Sequence, residues 1–108
     1  MTKQPGVPAY KNDVEDDDIY RLRLFVTGAT PNSTRAISNI KELCETHLKD
    51  RYELEIVDVY QQRLIAEKEQ IIALPMLIKR TPLPQRRLIG DMSDTEKVLR
   101  GLNLPAME

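Results

Sequence analysis

Few side chains here have the types and spacing that chemistry needs. A redox or metal site would have to use Cys44 and His47, the only cysteine and the only histidine, three residues apart. Thiol–disulfide exchange needs an accessible thiolate, usually with its pKa lowered at a helix start. Cys44 instead falls on the apolar stripe of an expected helix, about three turns in, and reads as a core cysteine. His47 has no Cys, His or carboxylate at helical spacing on its own face besides Cys44, and reads as a core or boundary residue. The four glycines are isolated and none opens a Lys-Ser or Lys-Thr phosphate cradle. Asp91 and Asp94 flank an expected helix start, where the helix dipole favours negative charge without any catalytic role. No catalytic residue, metal or cofactor is expected.

What remains is charge. Lys79, Arg80, Arg86 and Arg87 form the densest basic group, and an expected hairpin brings them together, with Arg35 nearby. Nucleic-acid surfaces usually join such charge to stacking aromatics, and this chain has only five aromatics, most at core positions. An acidic protein partner, steered in by complementary charge, is the better match; a merely solvated edge is the plainer alternative.

The elements that must position these groups can be read in order. The acidic head, residues 1–18, sets two lysines against five carboxylates, a net of −3 that leaves +2 on the other 90 residues. It offers almost nothing apolar to bury and reads as a flexible extension before one domain over residues 19–108. Tyr20 to Thr27 alternates as a strand, with Tyr20, Leu22, Leu24 and Val26 on one face. Gly28 to Ser33 is rich in turn formers, and Asn32 or Ser33 is the expected cap of a helix whose apolar stripe runs from Ala36 to Leu48. Tyr52 to Val59 is a second strand, parallel to the first because short strand–helix–strand crossovers are right-handed and parallel. Gln61 to Ala73 returns to helical spacing, with Leu64, Ile65, Lys68, Ile71 and Ile72 on one side.

Pro75 lies inside the apolar run Ile71 to Ile78. Having no N–H for a ladder, it must open a strand, Met76 to Arg80, and Leu74-Pro75 is a candidate cis turn. Arg86 to Gly90 pairs back as a hairpin. Ser93 and Glu96 form an expected capping box for a last helix with Val98, Leu99 and Leu102 on its apolar face. Gly101 and Asn103 both tolerate left-handed backbone, and Pro105 ends the helix. The order β-α-β-α-β-β-α, with a proline opening the third strand, is the thioredoxin-like arrangement. Thioredoxins carry Cys-Gly-Pro-Cys where this chain has Ala29-Thr30-Pro31-Asn32, so both sulfurs are missing. The absence of a long apolar run or an N-terminal h-region points to a soluble, cytoplasmic protein without membrane contact.

Several segments together resemble the KaiB circadian clock family: Leu24 to Ser33, Ile56 to Val59, Ala73 to Leu77, Arg86 to Ser93 and Glu96 to Leu99. The resemblance runs from about Tyr20 to Leu104. It implies a non-enzymatic regulator that docks on the KaiC ATPase ring, sequesters KaiA where KaiA is present, and so times a phosphorylation cycle. It also implies two folds, the thioredoxin-like monomer that binds KaiC and a tetramer of β-α-β-β-α-α-β order, with a homo-oligomer, dimer or tetramer, as the free state. By position Arg35, Lys79, Arg86 and Arg87 match the family's partner-binding residues. Pro75, Gly90, Gly101 and Asn103 fall in the segments where the fold balance is set, and Asn103 replaces an aspartate. The acidic head, and no acidic tail after Leu104, mark a divergent member, for which an hourglass or stress role stands beside a self-sustained clock. The competing readings are a thioredoxin-like redox or stress-response module and a detached sensory domain of a histidine kinase.

Overall fold

The computed structural model describes residues 19–71 and 73–104; the acidic head, Ile72 and Pro105 lie outside them. The elements are β1 (Tyr20–Val26), α1 (Pro31–His47), β2 (Tyr52–Asp58), α2 (Arg63–Lys68), β3 (Met76–Thr81), β4 (Arg86–Ile89) and α3 (Thr95–Gly101). The expected β-α-β-α-β-β-α order is the one observed. The strands form one sheet in the order β2-β1-β3-β4, with β1 parallel to β2 and antiparallel to β3, and β3 antiparallel to β4.

Alternation along β1 builds two apolar layers. Tyr20, Leu22, Leu24 and Val26 pack with Ala36, Ile40, Leu43 and Cys44 of α1 and with Val98, Leu99 and Leu102 at α3. Phe25 points the other way, into a smaller cluster with Val57, Met76 and Ile78, closed by Ile65, Ala66, Ile71 and Leu74. Burying each such Leu, Ile or Phe contributes about 1.5–3 kcal/mol, so the N-terminal strand–helix–strand unit and the hairpin are welded mainly through β1 and β3.

The structure corrects three local expectations. The cap of α1 is Thr30, not Asn32 or Ser33: Thr30 Oγ1 accepts from the Ser33 N–H, with Pro31 in the first turn, where its missing N–H costs nothing. Ser93 and Glu96 do not cap α3; Asp94 does, accepting from Lys97 N at 3.2 Å, while the Ser93 amide turns back to Asp91 Oδ1 at 3.1 Å.

The second helix spans six residues rather than running from Gln61 to Ala73. Gln70 takes left-handed backbone (φ 55°), with its N–H on Glu67 O and that of Ile71 on Ala66 O, which closes the helix end and turns the chain toward Pro75. The change moves Leu64, expected on the apolar side, out to solvent, while Ile65 and Ala66 face the core. Pro75 does open β3, and the Leu74–Pro75 bond is cis.

The end of α3 repeats the Gln70 device with Asn103 (φ 64°): its N–H reaches Arg100 O, that of Leu104 reaches Leu99 O, and Leu104 packs on the larger cluster. Asn103 thus lies just past the helix. Gly101 is helical rather than left-handed, and serves close approach: a Cβ there would sit 2.4 Å from Leu88 Cδ2. Gly90, by contrast, has φ 123° in the turn leaving β4.

Candidate functional site

The loop between β1 and α1 stands where a thioredoxin keeps its cysteines, and here it is a hydroxyl cluster. Ser33, 1% exposed, accepts from the Thr27 N–H at 3.0 Å, while Thr30 Oγ1 lies 2.9 Å from Ser33 Oγ. Thr27, Thr30, Pro31 and Asn32 share a shallow depression with Leu74 and Pro75, so the loop faces the cis proline across a gap that holds no thiol. Cys44 is buried in the core, and burial, helped by the Glu45 charge, pushes its thiol up to about 12. A thiol so protonated and enclosed is not a nucleophile at neutral pH. His47 sits half-buried at the end of α1, beside Met92.

The basic residues separate into different environments. Arg86 and Arg87 are exposed on β4, at the sheet edge. Arg87 donates to Glu69 O at 2.7 Å, and its guanidinium lies 3.6 Å from Glu69 Oε1. That same carboxylate receives Arg80 at 3.0 Å and Arg23 at 3.7 Å, so one glutamate past the end of α2 gathers arginines from β1, β3 and β4. Arg35 is exposed on α1, where it bonds Asp91 Oδ2 at 3.2 Å and the Asn32 side chain. Asn39 Nδ2 adds a bond to Asp91 O at 2.9 Å. Bonds from Ser93, and then from Arg35, hold the Asp91 carboxyl below its usual range, which fixes the turn after β4 to α1.

Lys79 does not join this surface. It is 1% exposed, and its ammonium is buried. As folded here it cannot offer its charge to a partner, and of the expected four Arg80, Arg86 and Arg87 remain exposed, Arg80 and Arg87 both drawn to Glu69, with Arg35 beyond the far end of β4. Sequence reasoning missed Glu69, whose role depends on three strands meeting, and the exposed apolar side chains Tyr60, Leu64, Leu83 and Ile89. Leu83 could have been found from its place between Pro82 and Pro84 at a hairpin tip.

Among the described residues no group of three or more His, Cys, Asp or Glu is placed to hold a metal ion, and no helix is long and apolar enough to cross a membrane. The described surface carries a charged strand edge, a proline-stiffened tip and a loop without thiols.

Residues 23–104 match the KaiB domain model. A circadian clock oscillator protein KaiB of Prochlorococcus marinus subsp. pastoris is 51% identical over 85 residues, covering 79% of each chain. The KaiB3 clock protein of a Synechocystis strain is 51% identical over 83 residues, covering 77% of this chain and 81% of its own. Among solved structures, the N-terminal domain of Synechococcus elongatus SasA aligns with a TM-score of 0.66 at 19% identity over 100% of this chain and 99% of its own. A Malassezia sympodialis thioredoxin gives 0.66 at 18%, covering 85% of this chain and 79% of its own. At such identities these two establish the thioredoxin-like fold alone.

Proposed function

The chain belongs to the KaiB family of circadian clock proteins, and on that basis we propose that it is a non-enzymatic clock regulator that docks on a KaiC-type ATPase ring and modulates its phosphorylation cycle. The observation that carries the reading is a family match over residues 23–104 on a thioredoxin-like frame whose loop at 29–32 has no cysteine. A frame without an accessible thiol has recognition left to offer. Arg86 and Arg87, with Arg35, are the charges we assign to that docking; Lys79 would contribute only if the hairpin repacked. KaiA, where present, is the further partner.

We also propose that the free chain self-associates as a dimer or tetramer and takes the fold described here when bound. Pro75, Gly90, Gly101 and Asn103 support this reading, because each holds a turn, a strand entry or a close contact in the C-terminal half. A gap of a few kcal/mol separates such alternative packings.

The test is gel filtration of the chain with a KaiC ring and ATP, with mass measured across a dilution series of the chain alone. Co-elution developing over minutes to hours is expected. The Arg86→Glu, Arg87→Glu double variant should weaken binding at least tenfold and keep its circular dichroism spectrum, since both side chains are exposed. Unchanged affinity would move the docking surface elsewhere, and no complex with any KaiC ring would remove the proposal.

A further inference from the structure

Lys79 is buried by its strand register. β3 pairs Lys79 with Leu22 of β1 and with Arg86 of β4, and alternation sends its side chain to the sheet face it shares with Leu77, the face covered by α1 and α3. Its Nζ is buried and has no hydrogen-bond partner among the described residues. The titratable groups turned to that face are Tyr20 of β1, Tyr52 of β2, Cys44 of α1 and Arg86 of β4, while α3 turns Val98 and Leu99 toward it. None of these is a carboxylate, Arg86 adds a like charge, and the Glu45 carboxylate of α1 accepts from the Tyr52 hydroxyl at 2.6 Å. The carboxylates that pair with arginines across the sheet, Glu53, Glu55 and Glu69, lie on the opposite face. A buried ammonium with neither counter-ion nor acceptor is among the most unfavourable arrangements a core can hold.

We propose that Lys79 is a release charge built into the C-terminal half: its ammonium opposes the seating of β4 and α3 over β3, and removing the charge locks them in place. The route back to water is short, since β4 is a four-residue edge strand and α3 spans seven residues. Burial first, and the Arg86 charge second, lower the Lys79 pKa from 10.5. The opened state therefore binds more protons than the closed one between that lowered value and 10.5. Stability of the closed arrangement rises with pH across this window and carries the full cost below it, each unit of depression being about a tenfold change in the opening equilibrium.

The experiment compares the full chain with Lys79→Met, an unbranched, uncharged side chain of similar length, by urea unfolding from pH 7 to 10.5 and by amide exchange of residues 86–102 at pH 7. We expect the Met variant to unfold at higher urea at pH 7, with exchange slowed at least tenfold, and the difference to close as pH approaches 10.5. Groups such as the Cys44 thiol titrate alike in both proteins and cancel in the difference. Equal or lower stability of the variant at pH 7, or a gap that ignores pH, overturns the proposal. A direct titration of Lys79 by NMR of its side-chain nitrogen in the unaltered chain decides independently of how the variant folds: a midpoint below 10.5 supports the release charge, and one at or above 10.5 refutes it.

Discussion

Substitution at Asn103 tests how the last helix is held. Its left-handed backbone lets the amides of Asn103 and Leu104 satisfy Arg100 O and Leu99 O and brings Leu104 onto the core. A β-branched residue resists φ near +60°, at about 1–2 kcal/mol, so Asn103→Val should lose that much, whereas Asn103→Gly should hold or gain slightly. Asn103→Asp isolates the electrostatic part. A carboxylate beside the carbonyl end of α3 meets the negative end of the helix dipole, a cost of about 0.3–1 kcal/mol. That repulsion raises the folded-state pKa of the new Asp above its unfolded value of about 3.9, so the deficit is present at neutral pH and fades as pH falls through the folded pKa. Added salt should shrink it too. Thermal melts resolve these differences, because 1 kcal/mol is about 4–8 °C for a domain of this size. If Asn103→Val melts with the unaltered chain, the residue is not left-handed in solution. If Asn103→Asp is insensitive to pH and salt, the dipole has no part in it.

Three further outcomes are expected. Ser33→Ala strips the acceptor from the partly buried Thr27 N–H and should cost about 1 kcal/mol in urea unfolding, with Ser33→Thr tested as the variant that retains an acceptor. Glu69→Gln removes the anion shared by Arg23, Arg80 and Arg87 and should cost about 1 kcal/mol, a loss that high salt erases because the guanidiniums are partly solvated. Cys44 should resist a thiol reagent at pH 8 until the chain is unfolded; with its folded pKa near 12 against 9.0, stability present below pH 9 is lost as pH rises from 9 toward 12.

Much of the fold was legible in the sequence where one face of an element is buried and the other is not. Alternation marked β1, a three-and-four stripe marked α1, and Pro75, which cannot donate, marked the start of β3. Caps were less legible: Thr30, Asn32 and Ser33 are all competent, as are Ser93 and Asp94, and only the helix register chooses among them. The short α2 could not be foreseen because its stop depends on Gln70 adopting a backbone that glycine or asparagine usually signals. Lys79 deceived for another reason. Met76, Leu77 and Ile78 are apolar on both faces, so no visible alternation assigned the next residue to the core. Of the expected docking residues, Arg35, Arg86 and Arg87 stand at the surface, and Glu69, which ties Arg87 down, belongs to no local pattern.

The hydroxyl trio of Thr27, Thr30 and Ser33 has a consequence for conditions outside the cell's steady state. Alcohol oxygens neither form cross-links nor pass through sulfenic acid, so peroxide and reductant leave that corner of the molecule unchanged. That corner keeps its shape while the surrounding thiol pool swings between oxidised and reduced.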